Sequence, residues 1–289
     1  MMLHMNVYEN VPLCDYTTFY IGGKARFFVT VSTSEELKEA ILFSKKKKLP
    51  FFLLGKGSNT LFDDRGYLGL VILNKINFCT IEEEKVSVGS GTSFSHLGLK
   101  TAKLGLSGLE FATGIPASVG GAIYMNAGAM GSSTWQALET VTFLDENLES
   151  KTLPKTHFSY EYRYSSFQIS NSVILSATFI LSKEKEAKDL QKELISYRTN
   201  TQPYGEKSAG CIFKNPKSGS AGAMIDQCGL KGTTFGKAKV SQKHANFIVT
   251  EQGATSGDIR LLIELVQKRV FDKTGVLLEP EVRMVPYES

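Results

Sequence analysis

Cys211 sits in the stretch SAGCIFKNP, Ser208–Pro216. Its small residues let the backbone bend and approach another group closely, while Ile212 and Phe213 anchor the turn in apolar surroundings. Four fates are open to a free cysteine there. A small buried hydrophobe is the commonest. A nucleophile wants a histidine beside it, and His244 is the sensible candidate. A metal ligand needs companions, but Cys14, Cys79, Cys211 and Cys228 form no CxxC pair, four histidines are scattered, and no HExxH occurs. No metal site is therefore expected. A proton donor needs only a thiol that stays protonated at neutral pH, which a reference pKa of about 8.5 allows.

Two further stretches hold reactive side chains. YEYRYSSFQ sets Arg163 among tyrosines, where it can stack on a ring or offer its planar fork to a carboxylate. LEPEVR puts Glu279, Glu281 and Arg283 on alternate positions of a strand-like segment, hence on one face. A solvated edge strand with self-paired charges is the simpler reading of that pattern.

Two glycine-rich passages suit a phosphate-bearing ligand. GKGSNTLFDD, residues 55–64, can turn several N–H groups toward one anion. It lacks the Gly-Lys-Ser/Thr ending of a Walker A loop, and Thr60 stands where a dinucleotide fingerprint has its third glycine. By itself it reads as a tight turn. The second passage, residues 108–131, has hardly any charge yet is too apolar for a flexible linker. It suits backbone lying against a flat or extended ligand; tight packing of sheet edges is the alternative. Two such passages in one chain favour a large nucleotide, a dinucleotide by preference.

The elements that must position these residues are legible in part. TFYIGGKARFFVTV reads as a Gly-Gly turn entering a strand. The helix after it has Thr33 and Glu36 placed as a capping box and Leu37, Ala40, Ile41 and Ser44 along one face. Pro50 stops it, and FFLLG and residues 68–73 follow as strands. From about residue 70 to 183 the short, irregular connections predict mixed or antiparallel sheet. A polar-faced helix over EKEAKDLQKELISYRTNT leads to a smaller unit. That unit has a short helix at GAMIDQC, a strand at HANFIVTE, a helix over 256–272 ended by Gly275, and a last strand VLLEPEVRMV. Three units are expected, over 1–70, 71–183 and 184–289.

Of the 289 residues, 42% are hydrophobic and 21% charged, and the net charge is +4. This is an ordinary globular composition. Lys45–Lys48 closes a helix, where cations suit the dipole. Neither a nucleic-acid partner nor a membrane partner is expected. With no secretory pattern and four unpaired cysteines, the expected location is the reducing cytoplasm.

Taken together, TFYIGG, LGKGSN, GLEFATGIPASVGGAIYMNAG, YRYSSF, QPYGEKSAGCIFKNP, AGAMIDQCGLKG, KHANFIV and LEPEVR, in order from Thr18 to Arg283, resemble the UDP-N-acetylenolpyruvoylglucosamine reductases of bacterial peptidoglycan synthesis. The resemblance implies an α+β flavoenzyme: an FAD-binding fold of the vanillyl-alcohol-oxidase (PCMH) type in two subdomains, plus a smaller α+β substrate-binding domain. It implies reduction of bound FAD by NADPH, then hydride transfer to C3 of UDP-N-acetylglucosamine enolpyruvate and a proton to C2, giving UDP-N-acetylmuramate. A monomer is expected.

The same resemblance assigns residues. FAD is held by Gly55, Lys56, Gly57, Ser58, Asn59 and Thr60, by Thr113, Gly114, Ile115, Pro116, Ser118, Val119, Gly120 and Gly121, and by Asn126, Ala127 and Gly128. Arg163 and Glu281 stabilise the enolate-like charge. Cys211 is the proton donor, occupying a position where the family most often has serine; as a thiol it would be lost as a donor at high pH and be open to alkylation. Tyr162, Asn215, Gln227, Lys231 and His244 are the substrate contacts. SSFQISNSVILSATFIL runs straight through where one branch carries an extra tyrosine loop, which implies the shorter type II branch and makes Tyr160 or Tyr204 the candidate to close over the sugar. Another oxidoreductase of the same flavin fold and a non-catalytic nucleotide-binding module are the alternatives; yellow protein bleached by NADPH excludes the second.

Overall fold

A computed structural model describes residues 5–288. The first unit is a four-stranded sheet in the order β1 (Tyr8–Pro12), β2 (Lys24–Val31), β5 (Tyr67–Asn74), β3 (Phe51–Leu54), with β4 (Thr60–Phe62) outside it. β2, β5 and β3 run parallel, and β1 is antiparallel to β2. A parallel pair needs a crossover, and α1 (Ser34–Lys47) supplies the one from β2 to β3. The Thr33 hydroxyl accepts the Glu36 N–H at 3.1 Å, while the Glu36 carboxylate reaches back one residue further than a capping box requires, to the Ser32 N–H. Leu37, Ala40, Ile41 and Ser44 are the buried positions of α1, as their spacing predicts.

The second unit is an entirely antiparallel five-stranded sheet in the order β9 (Ser150–Pro154), β8 (Leu138–Leu144), β10 (Val173–Ile180), β7 (Lys85–Gly89), β6 (Cys79–Glu82). Helices α2 (Phe94–Lys103) and α3 (Val119–Tyr124) belong to this unit, and α3 packs on β7 and β10. The core there gathers around Trp135, whose indole N–H donates to the Ile123 carbonyl at 2.9 Å.

The expected division at residue 70 falls inside β5, which is paired on both sides to Leu73 and continues to Asn74. The helix expected to open the last domain, α4 (Ala187–Thr201), instead lies against α2 and the short turn Glu110–Ala112. Its buried positions face the second unit, so it belongs there by packing.

The third unit has a small antiparallel sheet, β11 (Thr234–Phe235), β12 (Ala238–Val240) and β13 (Ile248–Thr250), with α5 (Ala221–Gln227) and α6 (Ser256–Thr274). The Thr255–Asp258 capping box starts α6, Ile259, Leu262, Ile263, Val266 and Val270 are its buried positions, and Gly275 ends it at φ 72°. The expected last strand is shorter than VLLEPEVRMV. Pro280 lacks the N–H a ladder needs, and only β14 (Arg283–Val285) is strand, pairing parallel with β4. Phe19, Ile21 and Leu61 of the first unit are built into the third unit's core. The chain's two ends are thereby knitted together beside the first glycine-rich loop.

Candidate active site

The two glycine-rich passages meet. Gly55 packs so closely on Ser118 that a Cβ would strike the serine hydroxyl. Gly57 takes φ +63°, and a Cβ there would overlap the Tyr16 carbonyl oxygen. Gly114 takes φ +83° and lies under the Tyr204 hydroxyl, which donates to its carbonyl at 2.9 Å. Only glycine permits both this close approach and this backbone conformation.

Between the passages and the third unit lies a cavity of about 920 Å³, toward the upper end for small-molecule sites, about 300–1,000 Å³. Gly55, Lys56, Gly57, Ser58, Asn59 and Thr60 line it, as do Gly114, Ile115, Pro116, Ser118, Gly120, Gly121, Ala127 and Gly128. Thr113, Val119 and Asn126 do not. Val119 is core, Thr113 is buried beneath the loop, and Asn126 spends its amide on the protein. Its side-chain nitrogen donates to Glu161 O at 2.8 Å and its oxygen accepts from Trp135 N at 3.2 Å. Asn126 therefore ties the glycine passage to the hairpin that carries Arg163.

Arg163, Glu281 and Cys211 come from three distant stretches and meet on the same cavity. Arg163 occupies a two-residue hairpin turn at φ +58°, a conformation costing a non-glycine residue about 1–3 kcal/mol. The Gln168 side chain holds it there by donating to the Arg163 carbonyl at 3.1 Å. Its guanidinium donates to Gly128 O at 3.2 Å, and its Nε lies 2.8 Å from Glu281 Oε1. That N–H is not aimed along a hydrogen bond, however, and Glu281 Oε2 is buried with no protein partner. The two side chains are thus close in charge but leave bonding capacity toward the cavity. Burial raises the Glu281 pKa, and Arg163 opposes without cancelling it.

Glu281 is fixed through its backbone. Its N–H donates to Ile212 O at 2.7 Å and its carbonyl accepts from the Asn59 side chain at 3.0 Å. The first bond sets Glu281 beside Cys211; the second ties it to the glycine loop. Asn59→Ala is expected to slow substrate-driven reoxidation about fivefold, the kinetic equivalent of roughly 1 kcal/mol of lost hydrogen bonding. Reduction by NADPH is expected to stay within twofold; stopped-flow comparison of the two half-reactions checks this.

Cys211 follows Gly210 at φ +76° and pairs across a β-bridge with Phe247. The buried Asn246 clamps the segment: Phe213 N donates to its oxygen at 2.9 Å and its nitrogen donates to Phe213 O at 2.8 Å. Asn246→Ala leaves both Phe213 groups unpaired and is expected to lower stability by about 2–3 kcal/mol, read as a fall in denaturation midpoint. Cys211 keeps some surface on the cavity. Even so, burial first and the Glu281 charge second push the thiol up to about 12, against the pull of Arg163 and Arg198. The loss of the donor expected at high pH is thereby displaced above the ordinary thiol range. A thiol held protonated so far above the ordinary range is expected to alkylate slowly at pH 8.

The proposed substrate contacts lie apart from this cavity's lining. The Tyr162 hydroxyl accepts from Asn215 N at 3.2 Å, joining the Arg163 hairpin to the third unit. Asn215 Oδ1 accepts from Ala221 N at 3.0 Å at the start of α5. Lys231 pairs with Asp226 at 2.6 Å, His244 lies near Lys231 with its pKa lowered by burial, and Gln227 is exposed at the end of α5. Tyr160 stacks on Trp135, 4.7 Å between centroids, and does not line the cavity, whereas Tyr204 does.

Two cavity residues receive no role from the motifs, although Arg283 belongs to LEPEVR. Arg283 lies between the rings of Phe52 and Tyr124, 4.7 and 5.7 Å from their centroids. Arg198 stands at the buried side of α4. Its signal was readable as spacing: Ala187, Gln191 and Arg198 share one helical face and are the buried residues of that helix. Polar residues on a buried stripe are uncommon enough to flag.

The cavity fits an FAD by observation. Thr18 Oγ1 and Glu281 Oε2, both on its lining, are buried without a protein partner, and the glycine cradle admits a ligand against bare backbone. Among the described residues no cluster could hold a metal, and no helix is long and apolar enough to cross a membrane.

Comparison with known proteins adds independent findings. Residues 25–147 match the FAD binding domain family, and residues 202–285 match the family described as UDP-N-acetylenolpyruvoylglucosamine reductase, C-terminal domain. The UDP-N-acetylenolpyruvoylglucosamine reductase of Protochlamydia amoebophila is 50% identical over 286 residues, 98% of this chain and 95% of that protein. The enzyme of the same name from Chlamydia abortus is 44% identical over 98% of this chain and 96% of its own length. The crystal structure of UDP-N-acetylenolpyruvylglucosamine reductase from Thermus caldophilus superposes with a TM-score of 0.85 at 37% identity, covering 98% of this chain and all of that one.

Proposed function

The chain belongs to the UDP-N-acetylenolpyruvoylglucosamine reductase family, and from that premise we propose how its residues divide the work. It is an FAD-dependent, NADPH-oxidising enzyme of peptidoglycan precursor synthesis that reduces the enolpyruvyl group of UDP-N-acetylglucosamine enolpyruvate to give UDP-N-acetylmuramate. Bound FAD supplies the hydride that adds at C3. The residues of 55–60, 114–121 and 127–128 that line the cavity would hold it.

Addition at C3 leaves negative charge spread over C2 and the adjacent carboxylate. Arg163 presents its guanidinium to that carboxylate, and Glu281, whose pKa burial raises, shares a hydrogen bond with the developing charge from its protonated form. Cys211 delivers its Sγ–H proton to C2. A thiol near 12 is far more acidic than a protonated carbanion, so the transfer is downhill. The resulting thiolate lies near Arg163 and Arg198 until water returns the proton.

The observation carrying this reading is the convergence of Cys211, Arg163 and Glu281 on a cavity whose other wall is two touching glycine passages. Its test is anaerobic: NADPH should bleach the flavin absorption and UDP-N-acetylglucosamine enolpyruvate should restore it. Protein that cannot be loaded with FAD overturns the reading.

Tyr162, Asn215, Gln227, Lys231 and His244 are the proposed outer contacts for the nucleotide-sugar. The Tyr162–Asn215 bond and the closeness of Lys231 to His244 support this. A domain division near residues 75 and 202 follows the continuity of β5 and the packing of α4. A monomer is supported by a site that one chain supplies in full, and a cytoplasmic location by four free cysteines.

A further inference from the structure

Arg198 is 8% exposed, stands in the last turn of α4 and lines the cavity. Among the described residues its guanidinium makes one hydrogen bond, Nη2 donating to Phe111 O at 3.4 Å, and pairs with no carboxylate. The charged and titratable groups facing it are Tyr204, Cys211 and Arg163. The nearby carboxylate, Glu281, already stands against Arg163. Even an ionised Glu281 balances only Arg163, so this end of the cavity carries at least one cation more than the protein compensates, and a buried unpaired guanidinium is costly. An anion arriving in the cavity is what would balance it.

The reaction brings two kinds of anion. The substrate has its carboxylate and diphosphate. The cofactor ring acquires charge when NADPH is oxidised to NADP⁺, because a hydride delivers two electrons and one proton and leaves one net negative charge. That charge departs with the hydride to C3, while C2 takes its proton separately from Cys211. The placement of Arg198 favours the ring. It bonds to Phe111, and its Cδ would be 3.3 Å from a Cβ on Gly114, inside the second glycine passage. Its helix packs on α2 and Glu110–Ala112, within the cofactor-holding unit.

We propose that Arg198 is the counter-charge of the reduced FAD ring, holding it as a singly protonated anion between the two half-reactions. This rests on the cavity being the FAD site. A fixed positive charge beside the ring is one of the means by which a protein tunes a flavin's potential.

The test is a potentiometric titration of FAD-loaded enzyme from pH 5 to 8. Uptake of one proton per two electrons is a tenfold change in equilibrium per pH unit, about 30 mV. That slope is expected for the wild type across the range. Arg198→Gln is expected to destabilise the reduced form at least tenfold, lowering the pH 7 midpoint by about 30 mV or more, with the slope steepening toward about 59 mV per unit at the acidic end. Arg198→Lys should keep most of the wild-type potential.

A wild-type slope near 59 mV throughout overturns the proposal without any variant, and so decides it even if the glutamine chain fails to fold. An unchanged midpoint in FAD-loaded Arg198→Gln also overturns it. So does a variant whose only change is a raised KM for the enolpyruvyl substrate, which would assign Arg198 to the substrate instead. Failure of the wild type to take up FAD is a different result, and removes the reading of the cavity itself.

Discussion

Cys211→Ala is expected to slow reoxidation of the reduced enzyme by UDP-N-acetylglucosamine enolpyruvate by about 10²–10⁴-fold, the usual contribution of a positioned proton donor. Reduction by NADPH should remain within about twofold, because that half-reaction asks no proton of Cys211. Cys211→Ser should retain substantial turnover, since a hydroxyl can hold and deliver a proton from the same place. The alanine change removes little volume, and the Asn246 clamp on Phe213 is untouched, so a folding defect is a poor explanation for such a loss. Full turnover in Cys211→Ala would sink the assignment. A second readout follows from the thiol lying near 12: the wild-type rate should show no descending limb due to Cys211 between pH 8 and 10.

The second large effect is expected at Arg163. Arg163→Ala should cost about 10²–10³-fold in substrate-driven reoxidation, the scale measured when one charge-stabilising donor is removed. Arg163→Lys should recover only part of this, because an ammonium lacks the fork that engages a carboxylate with two parallel bonds. Glu281 supplies the accompanying pH test. Burial raises its pKa, so the protonated form is lost as pH rises through that raised value, and the rate should fall with it. Glu281→Gln keeps a donor that does not titrate and should flatten that limb. An unchanged profile in the glutamine variant would show that protonation of Glu281 plays no part.

Much of this site was legible along the chain. The capped helix α1, the Gly275 stop and the antiparallel second sheet follow from local rules of capping, spacing and connection length. What misled was locality itself. Glu279, Glu281 and Arg283 alternate in sequence, yet Pro280 breaks the strand and sends them to three partners: Lys214 at the surface, Arg163 in the cavity, and the rings of Phe52 and Tyr124. Asn126 lies inside a ligand-facing passage but turns to the protein, because buried polar backbone nearby must be satisfied first.

The residue types and their order determined the kind of chemistry: glycine passages for an extended cofactor, a thiol where a proton is needed, and an arginine and a glutamate to meet developing charge. Those properties belong to individual side chains and survive in any conformation. Only the tertiary structure decided the thiol's pKa near 12, the raised carboxylate beside Arg163 and the uncompensated charge of Arg198. Each is a free energy set by what surrounds a group after water has been removed. Those surroundings are supplied by residues as far apart as Asn59, Arg163, Cys211 and Glu281.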